Sequence, residues 1–542
     1  MKKINKIFFF AAFSFICSSC SKTFLDVSPK DQLTDVTFWK TENDATLALT
    51  GLYGQSSGDV NKANTWESHW NILWWDLMTD NGYSQFPWDN ISVMGNGQLN
   101  ASNPGRNYFN YAQIRKCNNF LELIDQIKMD TVKKERYKAE ARFLRAYDYF
   151  RKVEFYGDVP LVSKTIVGPA DAKLAANPKS EVVDFILKEL DEVAKILPVQ
   201  NMRESKGHVT SGSALALKAR LELYEGKYPD AMADAKKVME MPVYELYPDY
   251  RGLFLIDNES NNKESILEVQ YAENDYPNNI WQHILPAKEG GWSSISAVQS
   301  IVDTYEMSNG KTIDDPASGY DPNKPFDNRD PRLGMTILYP GAWFNGRYFN
   351  SLDQASSDYH QNAAAPRSGY NVLKYSKVVP ATLLQNGGEN VMVIRLAEVI
   401  LTYAEAGIES GVIDQSVLDA INRVRARAYG VDISQTNLYP AVTTLDQSNL
   451  RKIVRRERRV ELAFEGLRYF DIKRWNIGAQ TLNGPLYGSR EGSVNSQTGV
   501  VTWGATRIKL EDKVFHPERN YLLPIPQGEL DANPNIKQNP GY

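Results

Sequence analysis

Apolar residues recur at three- and four-residue intervals over two long stretches of the chain, about 40–241 and 390–475. A helix that buries one face requires that spacing. It predicts helices over 108–129, 133–155, 181–197 and 211–225, and again from residue 390 to residue 475. Within 140–150, Phe143, Ala146, Tyr147 and Phe150 share one face. Two segments read as helical hairpins of the tetratricopeptide kind, 219–235 with Gly226 and Tyr228 at its corner, and 396–425. In such hairpins small residues let two helices approach closely.

Between these stretches the pattern changes. Residues 242–389 are rich in Gly, Pro, Asn and Asp, with short β-like runs at 265–271 and 335–339. Asp314 to Pro325 is a string of turn signals. Loops of this length inside a compact domain are usually functional. A polar hairpin-like insert at 484–510 and a Pro/Asn-rich tail close the chain. The economical reading is mainly α: one domain over 20–542, with a helical scaffold at 40–241 and 390–475. A loop-rich insertion at 242–389 would carry the ligand face, and 476–542 an extended C-terminal region. Length alone would hold about three average domains, and a core that large needs no disulfide staple.

The first residues follow another logic. Lys2, Lys3 and Lys6 precede a nearly unbroken apolar run at 7–16, and Ser18-Ser19 supplies small residues before a cut. The run is shorter than the roughly 20 residues that span a bilayer, so 1–19 reads as a signal peptide. Cys17, Ser18 and Ser19 stand directly before Cys20, which is the expected lipid anchor. Acyl chains there would hold the protein to a membrane, each buried CH₂ contributing about 0.8 kcal/mol. Cys117 is then the one thiol left in the mature chain, and an unpaired thiol in an exported protein belongs in the core.

With 61 basic and 66 acidic residues, the chain offers no electrostatic case for nucleic acid. Its five histidines make a histidine-built metal site unexpected. The basic run at 455–475 sets Arg455, Arg456, Arg458, Arg459 and Arg468 among Glu457, Glu461 and Glu465, a spacing that predicts ion pairs along one helix. Arg142, Arg395 and Arg425 are expected in similar pairings with nearby glutamates.

Several segments, in order, carry a resemblance: Phe24-Leu-Asp-Val-Ser-Pro-Lys-Asp-Gln32, Ala139-Glu-Ala-Arg-Phe-Leu-Arg-Ala146, Phe155-Tyr-Gly-Asp-Val-Pro-Leu161, Arg395-Leu-Ala-Glu-Val399, Ile421-Asn-Arg-Val-Arg425, the run Arg455 to Trp475, and the ending Leu523-Pro-Ile-Pro-Gln527 through Tyr542. In these the chain resembles the SusD/RagB family of outer-membrane nutrient-binding lipoproteins, over nearly all its mature length. The resemblance implies an α-helical fold with four tetratricopeptide-like helix pairs and a glycan site on the irregular half. It implies no catalytic activity and a SusC-like TonB-dependent transporter as partner. It also implies a lipid-anchored, palmitate-bearing protein of the outer membrane that faces the cell exterior and serves polysaccharide utilisation.

The loop aromatics are the candidate ligand residues. A sugar ring has a face of C–H bonds that a flat indole matches, while Asp, Asn or Arg groups pair with hydroxyls. One cluster holds Trp75, Asp80, Asn81, Tyr83 and Trp88, with Trp88 in a polar loop. A second holds Tyr276, Trp281 and Trp292, the last after a Gly290-Gly291 pair that would let backbone approach a ligand closely. In proteins similar to this one, the second stretch lies at the glycan site. Trp343, Arg347 and Tyr348 form a third set. For each, the plain alternative is an aromatic that plugs its own loop's core.

No His-Glu-x-x-His or phosphate loop occurs, and the Cys-x-x-Cys spacing from Cys17 to Cys20 falls at the end of the leader. No catalytic residue, cofactor or metal ligand is therefore assigned. Asp321, Asn323 and Asp327 faintly resemble a calcium loop without its twelve-residue pattern, which leaves a structural calcium open. The competing functions are a peptide receptor of the RagB kind and, further off, a surface glycoside hydrolase. The tryptophan-rich loops favour a neutral, flat-faced glycan.

Overall fold

The computed structural model describes residues 38–55, 64–169, 171–200 and 206–542. The signal peptide and Cys20 lie outside them. In chain order the main helices are α1 (Glu42–Tyr53), α2 (His69–Trp75), α3 (Ala112–Leu123), α4 (Thr131–Tyr156), α5 (Lys179–Ala194), α6 (Ser211–Tyr224), α7 (Tyr228–Met239), α8 (Ile280–Ile284), α9 (Gln299–Thr304), α10 (Leu396–Ser410), α11 (Gln415–Ala428), α12 (Gln447–Glu461) and α13 (Arg468–Arg474). The strands used below are β1 (Gly82–Ser84), β2 (Ser265–Val269), β3 (Ile295–Ala297), β4 (Trp343–Phe344), β5 (Arg347–Tyr348), β6 (Val391–Arg395), β7 (Gly484–Val494) and β8 (Val501–Lys513). The fold is mainly α, as the periodicity predicts.

The helices pack in sequence, α3 on α4, α4 on α5, α5 on α6 and α6 on α7. Helix α7 also packs against α10, which carries α11 and α12. The two halves of the scaffold thus join through α7 and α10, although the loop-rich insertion separates them in sequence. Both predicted hairpins form. Gly226 turns the α6–α7 corner at φ 70°, and Gly411 ends α10 at φ 76°, in the left-handed region that glycine enters without a Cβ penalty.

Helix α4 departs from the one-face reading. Asp130 caps its start by accepting from the Lys133 amide at 2.8 Å. Its C-terminal half is buried on every side, Arg145, Tyr149, Lys152 and Glu154 included, because α3, α5 and α6 enclose it. The tail adds a further cover, the Leu523 amide donating to the Phe155 carbonyl at 2.7 Å. Cys117, on α3, is fully buried, and that burial pushes its thiol well up, as expected of a core cysteine.

Strands are few and form two-stranded antiparallel ladders among the described residues. β1 pairs with β3, and β2 pairs with β6, which runs directly into α10. The insertion is thereby tied to the scaffold at both ends. The insert at 484–510 is the β7–β8 hairpin, longer than the other ladders.

The arginine-rich helix α12 is correct in kind and wrong in partner. Its charges bond across elements rather than along the helix. Glu461 accepts from Arg332 at 3.0 Å, Arg395 at 2.7 Å and Arg427 at 2.5 Å. Glu465, in the break between α12 and α13 that divides the expected single helix, holds Arg395 and Lys374, and Glu457 holds Arg332 and Arg425. Burial alone would raise the Glu461 carboxyl, yet the three guanidiniums hold it far below its ordinary value. Lys374, fully buried, is lowered to about 8 by desolvation despite Glu465. Helix side chains three or four apart can meet on an exposed face, but a helix sunk in the core presents its charges to neighbouring elements instead. Arg142 pairs with Glu189 and Glu192, and Arg425 with Glu306 and Glu457, as expected.

Candidate functional site: an exposed aromatic shelf on the loop-rich half

Three indoles stand out in water. Trp88 is 53% exposed, Trp292 37% and Trp343 64%. The local sequence explains each. Residues 84–91 form a tight loop around Asp89, which accepts from the Trp74 indole at 3.0 Å, from the Ile91 amide at 2.9 Å and from the Ser84 hydroxyl. With Asp89 buried and its lone pairs filled, the neighbouring Trp88 is turned outward. Phe86 stacks on it with ring centroids 5.7 Å apart.

Trp292 follows a turn that glycine makes. Gly290 adopts φ 82°, and a Cβ on Gly291 would lie 2.1 Å from the Leu285 carbonyl oxygen. At Gly291 the close approach is to the loop's own backbone. Trp292 then donates its amide to the Gln282 carbonyl at 2.7 Å, and Ser294 to the His283 carbonyl at 2.7 Å. Gln85 donates its side-chain amide to the Trp292 carbonyl at 2.9 Å, which links the two loops.

His283 lies beneath the rings. Its ring centroid is 4.5 Å from Trp70, 5.0 Å from Trp74, 6.2 Å from Trp88 and 5.4 Å from Trp292. Nδ1 shares a hydrogen bond with Ser294 Oγ at 2.9 Å, and Nε2 is buried without a partner among the described residues. Burial pushes its pKa well down, and nearby His69 and Arg106 push the same way, so the ring is neutral. His69 is lowered to about 4 by burial, against a hydrogen bond to Asn279 at 2.8 Å. Arg106 closes the cluster from the other side, over the rings of Trp70 and Trp74 at 5.6 and 5.7 Å. Edge-to-face aromatic packing of this kind contributes about 0.5–1.5 kcal/mol per pair beyond area burial, so the shelf is braced from below.

The third exposed indole sits on the β4–β5 hairpin, its ring edge-on to Tyr348 at 4.9 Å. Arg347 anchors that hairpin, binding Glu289 at 2.8 Å and Asp358 at 2.8 Å. Glu289 immediately precedes the Gly290-Gly291 turn, so Trp343 and Trp292 hang from one small framework. Arg347 spends its charge on two carboxylates and is a clamp rather than the free hydroxyl donor expected from sequence.

Other candidates lie elsewhere. Trp281, 1% exposed, is packed in α8 and cannot present a face to a sugar. Trp75 is core, against Tyr108, Phe155 and Phe470 at 5.4–6.0 Å. Asp80 and Asn81 are buried. Burial alone would raise Asp80, but Arg459 and Arg468 beside it bring it down to about 2. Asn81 donates to Asp76 at 2.6 Å and accepts from Arg459 at 2.9 Å. Tyr83 is half-buried in β1 opposite Ser296. Tyr276 stacks on Tyr271 and lines a separate small cavity with Tyr53, Trp66 and His208. Of the residues proposed from sequence, Trp88, Trp292 and Trp343 are exposed rings; Trp88 and Trp292 meet over His283, and Trp343 lies on the hairpin that the Arg347–Glu289 pair ties to the turn before Trp292. Phe86, His283 and the Glu289–Arg347–Asp358 clamp carry no motif. The sequence signal for the segment was Tyr276, Trp281 and Trp292 themselves.

The Asp321 turn uses its carboxylate locally, accepting from the Asn323 amide at 2.8 Å. No group of three or more metal-type side chains forms among the described residues.

Known proteins were compared with this chain. A profile described as the SusD family matches residues 257–542, and one described as starch-binding associating with outer membrane matches residues 23–223. The SusD-like protein P2 of Formosa agariphila is 26% identical over 541 residues, 96% of each chain. The crystal structure of a SusD-like carbohydrate binding protein from Bacteroides fragilis has a TM-score of 0.82 at 32% identity, covering 92% of this chain and all of that one (100%). Surface glycan-binding protein A from Bacteroides thetaiotaomicron, in complex with laminarihexaose, has a TM-score of 0.66 at 19% identity, covering 92% of this chain and 99% of its own, a likeness of fold.

Proposed function

The chain belongs to the SusD family, and on that premise we propose that it captures a glycan at the cell surface and hands it to a partner TonB-dependent transporter. Family membership supports carbohydrate binding without catalysis and association with the outer membrane. One observation carries the glycan reading: Trp88, Trp292 and Trp343 are exposed on loops whose undersides are rigidly packed. Soluble proteins scatter single exposed apolar residues, but braced clusters of large ones mark binding sites. An indole already held in place loses little conformational freedom when a sugar ring settles on it.

The charges around the shelf sharpen the reading. Arg347 is paired with Glu289 and Asp358 and His283 is neutral, so neither presents a free charge to an anionic chain. A neutral, flat-faced glycan suits it. The partner transporter, Cys20 as the lipid anchor and the outward orientation are part of the same proposal, supported by the family likeness and the N-terminal pattern.

The test is calorimetry of the purified protein against a panel of neutral polysaccharides and oligosaccharides, laminarihexaose among them, with mixed peptides in parallel. Saturable binding of at least one glycan is expected. Binding of peptides and of no glycan would replace this reading with a peptide receptor.

A further inference from the structure

A second concavity lies away from the aromatic shelf, between α9, α12, α13 and the β7–β8 hairpin. Its volume is about 700 Å³, in the range of small-ligand sites. Helix α12 puts Arg455, Arg456 and Arg459 into it, α13 opens with Arg468, and Arg507 reaches in from β8.

Their ion pairing is incomplete in a regular way. Asp80 is shared by Arg459 at 2.9 Å and Arg468 at 2.9 Å. Glu306 is shared by Arg425 and Arg456. Glu409 is shared by Arg451 at 2.7 Å and Arg455 at 3.3 Å. Each of these three carboxylates thus serves two guanidiniums. Arg459 is lowered to about 10 chiefly by burial, with Asp80 opposing and the neighbouring Arg468 adding to the shift.

Donors remain open. Among the described residues Nη1 of Arg459 and of Arg468 makes no hydrogen bond. The Arg507 side chain forms no ion pair or hydrogen bond there, although its charge acts on Asp303. Guanidinium forks match the paired oxygens of carboxylate and sulfate, and such charge-assisted bonds are about twice as strong as neutral ones.

The other wall carries Asp303 and Asp314. Asp303 is held by the Gln299 side-chain amide at 2.7 Å. Acids on that wall disfavour a second negative charge and accept hydrogen bonds from hydroxyls.

We infer that this cleft is a second binding site, which takes one oxyanion, a sulfate ester or a carboxylate, carried on a hydroxyl-rich ligand. The oxyanion part stands apart from the shelf, whereas the hydroxylated carrier rests on the glycan reading. An acidic sugar would place its anion on the arginine floor and its hydroxyls toward Asp303 and Asp314.

Calorimetry with sodium sulfate, against sodium chloride at matched ionic strength, tests the floor on the full-length protein. Saturable sulfate binding is expected, weakened at least tenfold in Arg507→Gln and further in the Arg455→Gln/Arg507→Gln double variant. Arg507 is exposed on β8, so Arg507→Gln should leave the melting temperature in chloride unchanged. No saturable binding, or equal binding by the double variant, would overturn the site. Glucuronate and glucose 6-sulfate distinguish the two oxyanions, with glucose as the neutral control. Either should compete with sulfate where glucose does not. Failure of both, with inorganic sulfate bound, would overturn the carrier assignment while leaving the aromatic shelf to be judged on neutral glycans alone.

Discussion

His283 shows how one side chain can hold a surface together without touching a ligand. Its ring contacts four indoles and stays neutral because burial disfavours its charge. The pH consequence has a definite sign. A histidine depressed in the fold costs nothing above its unfolded value near 6.5. As pH falls below that value, the unfolded chain takes up a proton that the folded chain refuses, and stability is lost. The loss is at most about 1.4 kcal/mol per pH unit. The stability advantage of the native protein over His283→Gln, measured by urea unfolding, should therefore shrink by about 2 kcal/mol between pH 7 and pH 5. An advantage independent of pH would contradict a neutral buried ring.

The same scale shows why single residues were hard to read. Trp281 and Trp292 stand eleven positions apart in one glycine-rich stretch, and nothing in their neighbours says which faces inward. The decision is made by α8, whose five residues are all buried, and by the Gly290-Gly291 turn that reverses the chain before Trp292. Asp80 looked like a hydroxyl-binding acid beside loop aromatics. Its arginines lie at 459 and 468, a separation at which local spacing carries no information. Cys117 was legible, because a lone thiol within a helical period belongs in the core.

At the scale of elements, helices were legible and their enclosure was not. The predicted spans at 133–155 and 211–225 fall within two residues of α4 and α6. Periodicity identifies a helix by its buried stripe, so it understates one buried all round, and it assigns charges to the helix's own surface. Helix α12 illustrates the second error. Glu461 organises Arg332, Arg395 and Arg427 from three other segments. Removing one partner of a buried ionic cluster strands the others, at a cost of about 3–5 kcal/mol. Glu461→Gln should lose about that much stability in urea unfolding, whereas a change below about 1 kcal/mol would show the cluster to be solvated.

The turn before Trp292 is the element on which the shelf depends. Gly291 has no room for a side chain, since a Cβ would meet the Leu285 carbonyl at 2.1 Å. Gly291→Ala should displace Trp292 and weaken glycan binding at least tenfold while far-ultraviolet circular dichroism stays native. Native affinity in that variant would mean that the turn does not position the binding surface.

At the scale of the molecule, a helical scaffold continuous through α7 and α10 carries the loop-rich half on one side. The first β-run of that half, β2, is pinned to β6, and β6 leads into α10. Loops tied at both ends to rigid elements can expose large aromatics without collapsing onto them. Membrane attachment belongs to this scale as well. No helix among the described residues is long and apolar enough to cross a membrane; the proposed tether, Cys20, rests on the N-terminal sequence pattern. Cys20→Ala should leave the mature protein soluble in the periplasm on cell fractionation, and retention at the cell surface would count against that anchor.

The central claim is that exposed, braced tryptophans capture a neutral glycan. Affinity electrophoresis through gels containing each of a panel of neutral polysaccharides tests it most directly, with the native protein run beside a Trp88→Ala/Trp292→Ala double variant. Retardation of the native protein by at least one polysaccharide, lost in the double variant, is the predicted result. Retardation that persists unchanged in the variant, or none with any glycan, would contradict it.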